Sequence, residues 1–405
     1  MSADYMPWRC VKSPNCVTRW AIGLALLLFC CLAAPSAYGQ RAFLVTYGVG
    51  EASWEWFGHN AIWLEDPQQG LNHVYSFGYF NFDDPGFYWR FIRGDMKYFG
   101  SSSDVGREMA FYRQSNRSIR VQELALTESQ FSTLQALLTE AIYPFPQYYD
   151  YNYFTANCST WLRDILSETY GETFVSDLQN TESSDTYRSL TLNATVNHPL
   201  ASVGLSMLLG PAADQKISAW ESAFLPVVLA NSLETMQING EPIVRSDVIV
   251  FRSGADDVVQ DNQPIWLGSA SMAGVGLLSV MAILWLGGLG QTRRLWPSVL
   301  GLTFLSLLGV VLIFMGYLTS HSVVRNNHLL LIAHPLWLGL MPIFGSTLQK
   351  WSWWACVLLT GLALLWSIGL WGTQDRALSA MLLPIAVTLL WVRRQVADIS
   401  LRSSA

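Results

Sequence analysis

Between residues 264 and 392 the chain is a succession of long apolar runs with short polar breaks, and this limits the fold more than any other feature. About 20 apolar residues in a helix span the roughly 30 Å hydrocarbon core of a bilayer. A backbone in lipid must satisfy its own polar groups, so helices are the expected form. Five stretches qualify, at 265–289, 297–318, 329–347, 353–372 and 377–392, the last being short. Only 13% of the 405 residues are charged and 51% are apolar, yet the charge lies mostly between residues 40 and 265. Such a division reads as an exported or soluble domain joined to a membrane domain. A net charge of −6 without a basic cluster gives no ground for a nucleic-acid partner.

The first 39 residues carry Arg9, Lys12 and Arg19, then AIGLALLLFCCLAA, then small residues at Ala37 and Gly39. This is the pattern of a signal peptide, with an uncleaved anchor helix as the alternative. Phe29 stands where a lipobox before Cys30 needs a small residue, so a lipoprotein leader is set aside. Arg293 and Arg294 follow the first apolar run, Lys350 the third, and Arg393, Arg394 and Arg402 the fifth. By the positive-inside rule these loops are cytoplasmic and residues 40–264 lie outside, as the leader also requires. The expected division is a leader at 1–39, an exported domain at 40–264, five membrane helices at 265–392 and a cytoplasmic tail at 393–405.

Within the exported domain, 42–47, 60–64 and 73–78 read as short strands. Thr127 with Gln130 forms a capping box, followed by the helical stripe Phe131, Leu134, Leu138, Ala141 and Ile142. After a loop rich in tyrosine and proline, Asn157 caps a helix whose Trp161, Leu162, Ile165 and Leu166 can face a core. Residues 200–240 read as helical, with Trp220, Phe224 and Leu225 as candidates for a membrane-apposed surface. The fold class is α+β with a modest sheet, followed by an all-α membrane domain.

Of six cysteines, Cys10, Cys16, Cys30 and Cys31 fall in the leader and Cys356 in an apolar run, leaving Cys158 alone in the exported domain. A lone exported cysteine is either a small buried hydrophobe or a reactive thiol. Its place in the first turn of a helix, among Asn157, Ser159 and Thr160, favours the thiol. There the helix dipole and unpaired N–H groups are expected to lower its pKa. A nucleophile needs a base within hydrogen-bond reach. His59 follows Gly58 and opens a strand-like run, and His73, 14 residues on, is a candidate to orient it. His198, before Pro199, reads as incidental. The exported histidines and one cysteine show no metal-ligand spacing, and no cofactor is implied.

FGHNAIWLED, then VYSFGYFNFDDPGFYWRFIRGDMKYF, then NCSTWLRD resemble, in that order, the N-terminal periplasmic domain of the Lnb family, formerly a domain of unknown function. The later NNHLLLIAHPLWL resembles a loop of that family's membrane helices. The resemblance implies a bacterial lipoprotein N-acyltransferase of the inner membrane, with a phospholipid donor, a lipoprotein acceptor and a cysteine nucleophile. Histidine before cysteine also looks like the circularly permuted papain-like (NlpC/P60-like) arrangement. On that likeness His59 and Cys158 carry over as base and nucleophile, while the third member is left between His73 and Ser76. Asn157 at the helix start, and His321, Arg325, Asn326, Asn327 and His328 in an exported loop, are candidates to bind the substrate, the loop residues through a phosphate headgroup. The alternatives are a membrane-anchored cysteine peptidase or amidase of the cell wall, and a non-enzymatic envelope assembly or sensor protein with Cys158 buried.

Overall fold

A computed structural model describes residues 39–253, 269–288, 296–341, 343–369 and 376–403. The leader expected at 1–39 lies outside the described residues except for its last position, as do the junction before the first membrane helix and the loop bearing Arg293 and Arg294.

The exported part is built on one antiparallel sheet. Its elements run β1 (Arg41–Tyr47), β2 (His59–Asp66), β3 (Leu71–Tyr79), α1 (Phe87–Arg93), β4 (Lys97–Asp104), α2 (Val105–Gln114), β5 (Ile119–Leu124), α3 (Glu128–Glu140), β6 (Tyr148–Asp150) and α4 (Cys158–Tyr170). There follow α5 (Glu172–Asn180), α6 (Tyr187–Ala194), α7 (Pro199–Leu208), α8 (Pro226–Thr235) and the last sheet strand, β7 (Val244–Phe251). The sheet order is β7-β5-β1-β2-β3-β4-β6. This is more sheet than the sequence suggested, because β4 to β7 are mixed polar and apolar and carry no clean alternation.

β1 is buried along almost its whole length because both sheet faces are covered. On one face Leu44, Ile62, Leu64 and Phe77 pack with Phe131 and Leu134 of α3, Leu162 and Leu166 of α4, and Leu229 and Leu233 of α8. On the other, Phe43, Val45, Ala61 and Val74 pack with Tyr112 of α2. The Thr127–Gln130 capping box is present, and its stripe faces the first core. Phe224 and Leu225 are not membrane-apposed: they are buried with Leu190 and Ile217. Trp220 packs on the first core, with the Arg163 guanidinium 4.0 Å from its ring. Their apolar character serves the domain's interior.

The C-terminal part contains α9 (Ser269–Gly288), α10 (Trp296–Tyr317), α11 (Ser346–Ser367) and α12 (Ala377–Ser403). Two stretches, Trp296–Tyr317 and Ala377–Gln395, are by length and composition apolar enough to cross a membrane. The run expected as a third continuous helix at 329–347 is instead broken into 3-10 turns at His328–Leu331 and Pro335–Leu340. Pro335 brings no N–H and forces the residue before it out of the helical region, and His334 is extended at φ −149 and ψ 156. The broken segment is nevertheless interior, with Leu329, Ile332, Ala333 and Trp337 fully buried. One end of it sets His328 against Trp366, near the end of α11. At the other, Met341 accepts from Gln349, near the start of α11, and Gln349 accepts from Arg393 of α12. The segment therefore runs from one end of the bundle to the other without being a helix. The last helix does not stop at 392 but runs to Ser403.

The two parts are in contact. Leu192, and beside it Val203 and Met207, join the core of the membrane helices. Asn327 donates to the carbonyls of Met207 and Leu208, closing the C-terminal end of α7. Three residues beyond α10, Ser320 donates its N–H to Arg93 O at 2.7 Å and its hydroxyl to Asp95 at 2.9 Å.

Candidate active site

Cys158 is the first residue of α4, and Asn157 fixes where that helix begins. Asn157 Oδ1 accepts from the N–H groups of Ser159 and Thr160, both at 2.9 Å, and Nδ2 donates to Tyr153 O and Phe224 O, also at 2.9 Å. Both polar atoms of this buried side chain are therefore engaged, so Asn157 holds the helix start and is not placed to bind a substrate. Ser159, fully buried, donates to Ala223 O and accepts from Asn60 Nδ2, tying α4 to β2. Opposite the thiol, Gly78 adopts φ +95, and a Cβ there would lie 3.7 Å from Cys158 Cβ. The absent side chain leaves room at the thiol, and the left-handed backbone favours glycine.

His59 opens β2 directly opposite Tyr47 of β1, beside the Asn60 amide. Its Nε2 lies 2.5 Å from Ser76 Oγ. The register explains the choice of partner. Ser76 pairs with Ala61, two residues along β2 on the same face as His59. His73 pairs with Leu64, five residues from His59, which at about 3.4 Å per residue is roughly 17 Å away. His73 is also exposed. The third place expected for His73 is thus filled by Ser76, because strand pleating brings i and diagonal i±2 neighbours together and leaves His73 at the far end of the strand. The Tyr79 hydroxyl also reaches Ser76, continuing the chain of hydrogen bonds.

Burial, and secondarily the Arg117 cation, drives the His59 imidazole down to about 3, so the ring is a neutral base. Burial pushes the Cys158 thiol above its ordinary 9.0. Backbone N–H groups of Asn60 and Ser159, and the charge of Arg117, offset only part of this. The low thiol pKa expected from the helix dipole is therefore not what the site produces: desolvation outweighs the dipole. Thiol and imidazole rest uncharged.

Behind His59 is a polar cluster that sequence reading missed. Tyr47 and Tyr112 stack on one another, and both face the His59 ring at 6.1 and 6.3 Å. Arg117, 3% exposed, holds Gly48 O at 2.8 Å and Glu55 at 3.2 Å and lies 4.8 Å from the Tyr112 ring centre. Glu108 accepts from Ser103 at 2.6 Å, and burial raises its pKa. These residues come from β1, α2, β4 and two connecting segments, so no local motif announces them. Beside β2 a cleft of about 260 Å³ is lined by Tyr47, Trp56, Gly58, Leu225 and His198, where His198 stacks on Trp56 at 3.9 Å.

Of the expected loop ligands, Arg325 and Asn326 are exposed, and Asn326 occupies a left-handed turn at φ +56. His328 turns toward Trp366 in the membrane part. The loop residue nearest the site is His321, whose ring stacks on Tyr153 at 6.0 Å and bonds Ile92 O at 3.2 Å. Tyr153 is in turn held through its carbonyl by Asn157. Among the described residues no group of histidine, cysteine and carboxylate side chains could hold a metal ion.

Comparison with known proteins gives two adjoining results. The Lnb N-terminal periplasmic domain matches residues 39–193, and the Lnb transmembrane domain matches residues 269–402. No curated protein and no solved structure matches. Together the two domains cover more than half of the chain, in the order and on the two parts that the fold separates, and the chain belongs to the Lnb family of membrane proteins with a periplasmic domain.

Proposed function

We propose that the chain is a cysteine acyltransferase on the outer face of the bacterial inner membrane, moving an acyl chain from a phospholipid to the N-terminal amine of a lipoprotein. The observation that carries this reading is that Cys158, at the start of α4, is bonded by the backbone N–H of Asn60, the residue after His59, whose Nε2 meets Ser76, at the end of the sheet tied to the loop after α10. β1 ends there, β3 leads there into α1, and α1 is tied to the loop after α10.

With Ser76 accepting from Nε2–H, the basic nitrogen of His59 is Nδ1. As the sulfur attacks the donor ester carbon, Nδ1 takes the thiol proton in the same step. The oxyanion is met by the N–H of Cys158, which as the first helical residue has no intrahelical acceptor, and by that of Asn60. Collapse breaks the ester C–O bond, and His59 returns the proton to the departing lysophospholipid oxygen. The lipoprotein amine then attacks the thioester carbon, His59 accepts a proton from it, the amide forms, and the sulfur leaves and is reprotonated. This is a ping-pong scheme. The fold class proposed for the periplasmic part is the permuted papain-like one, and such a fold serves hydrolysis and transfer alike. The membrane loop docked on α1 favours a lipid over a wall peptide.

The topology that goes with this reading has five crossings, the third made by the broken segment. The periplasmic domain and the His328–Trp366 end then face outward, and Lys350, Arg393 and Arg394 face the cytoplasm.

The test is to express the chain in cells depleted of their own lipoprotein N-acyltransferase and read lipoprotein N-termini by mass spectrometry. Triacylated product with wild type and none with Cys158→Ala is expected. Full activity in Cys158→Ser or His59→Ala would overturn the mechanism, and an altered peptidoglycan profile with unaltered lipoproteins would favour the wall hydrolase.

A further inference from the structure

Helix α1 has a composition its surroundings do not explain. Five of its seven residues are apolar or aromatic, in the sequence FYWRFIR, yet none is buried. Tyr88 is 66% exposed, Trp89 57%, and Phe91, Ile92 and the preceding Phe82 more than two fifths. A contiguous face of this kind on a soluble surface marks a contact with something apolar. Its charges are already matched, Arg90 with Asp84 and Arg93 with Asp95, so nothing on the helix calls for a charged partner.

We infer that α1 and Phe82 are immersed in the outer leaflet of the membrane that the chain's own helices enter. The height of α1 decides the occupant. Ser320 and His321 bond the carbonyls of Arg93 and Ile92, and α10, an apolar helix of spanning length, ends at Tyr317. Three residues reach at most about 11 Å, so α1 sits within headgroup depth of the end of a spanning helix. Tyrosine and tryptophan prefer that depth, where the ring meets acyl chains and the polar atom meets water. Gly94, at φ +77, makes the junction possible, since a Cβ there would come 3.2 Å from the His321 ring and backbone. Phe80 links the patch inward, packing on Tyr98, which stacks on Tyr151 within electrostatic reach of Cys158. The immersed face and the thiol are thus two sides of one aromatic layer, and the immersion itself does not depend on acyl transfer.

The test uses the full chain in vesicles containing a phosphatidylcholine with a diazirine in its acyl chain, irradiated and mapped by peptide mass spectrometry. Adducts are expected on residues 82–93 as well as on the membrane helices, with at least about tenfold fewer on the turn at 66–71, at the opposite end of β2 and β3. The yield on 82–93 is expected to be the same in the Cys158→Ser chain and in vesicles with added anionic lipid, and to be lost in a Tyr88→Glu, Trp89→Glu chain whose membrane helices still label. Labelling confined to the membrane helices, equal labelling at 66–71, or protection of 82–93 by a second copy of the chain would overturn the inference. Failure of lipoprotein acylation with labelling intact would strike the proposed function alone.

Discussion

The protonation state of the Cys158–His59 pair can be measured without knowing the substrate. With His59 at about 3 and Cys158 above 9.0, the two differ by at least six units, so moving the proton before attack costs about 8 kcal/mol. Two unit charges about 4 Å apart recover about 4 kcal/mol at an effective dielectric of 20. The remaining 4 kcal/mol corresponds to about one ion pair per thousand molecules. Direct ionisation is also slight, at most about 1% thiolate at pH 7 for a thiol above 9.0, but unlike the ion pair it grows tenfold per pH unit and so sets the slope. The assay is a pulse of iodoacetamide on the full chain in detergent between pH 5.5 and 10, quantified on the peptide that contains Cys158 so that the other cysteines do not interfere. The rate should climb about tenfold per pH unit through pH 8, with no plateau below about 9. His59→Ala should leave that slope unchanged, because a neutral imidazole does not titrate in the range. A plateau between about pH 6 and 7, abolished by His59→Ala, would show a preformed thiolate–imidazolium pair and refute the argument that desolvation prevails.

Ser76→Ala should lower turnover by about 10- to 100-fold while leaving Cys158 alkylation as it was, because it frees the His59 tautomer without touching the thiol; His73→Ala should stay within about twofold of wild type in the same lipoprotein assay. Asn157→Ala removes a double cap and leaves two carbonyls without their donor, a loss of about 2–4 kcal/mol that thermal unfolding in detergent would register. A depressed histidine stabilises the fold above its unfolded value and loses that contribution as pH falls. Between pH 6.5 and 5.0 His59 should therefore cost up to about 2 kcal/mol of stability. Glu108, raised by burial, acts in the opposite direction, so the readout is the difference between wild type and His59→Gln, whose profile should be flatter.

The parts of this architecture that depend on local chemistry could be read from the residues. Asn157 is a cap whatever surrounds it, the Thr127 box closes on itself, and the leucines of α4 declare one face. The lone exported cysteine and a histidine at a strand start were equally visible, because each is a matter of residue type and neighbour. Pairing register was not. Whether His73 or Ser76 meets His59 depends on which residue of β3 opposes Ala61, and a register shifted by three residues would reverse the answer. The thiol pKa is not legible in the sequence for a related reason. A helix start can be recognised in one segment, but desolvation depends on what packs around it, and the tyrosines within electrostatic reach of Cys158 come from two others, Tyr112 of α2 and Tyr149 and Tyr151 at β6. The broken segment at His328–Leu340 shows the same limit from the other side. Hydropathy scores the run 329–347 as a helix, while a single Pro335 decides that it is not one, and only burial between α10 and α11 makes irregular backbone tolerable there.

The raised thiol pKa bears on the substrate. A papain-like site open to water can hold a thiolate and an imidazolium, since solvent stabilises both charges before a peptide arrives. A site that receives an acyl chain is desolvated further by its own substrate, and an ion pair formed beforehand would resist that step. In a site of buried tyrosines, with Arg117 the nearest cation and His59 kept neutral, charge need develop only when the ester carbonyl is in place to take it as an oxyanion. Neutral reactants at rest, an aromatic layer between thiol and leaflet, and a sheet end tied to the loop after α10 are mutually consistent for an apolar donor. A cell-wall peptide, polar and approached from the aqueous side, would need none of the three.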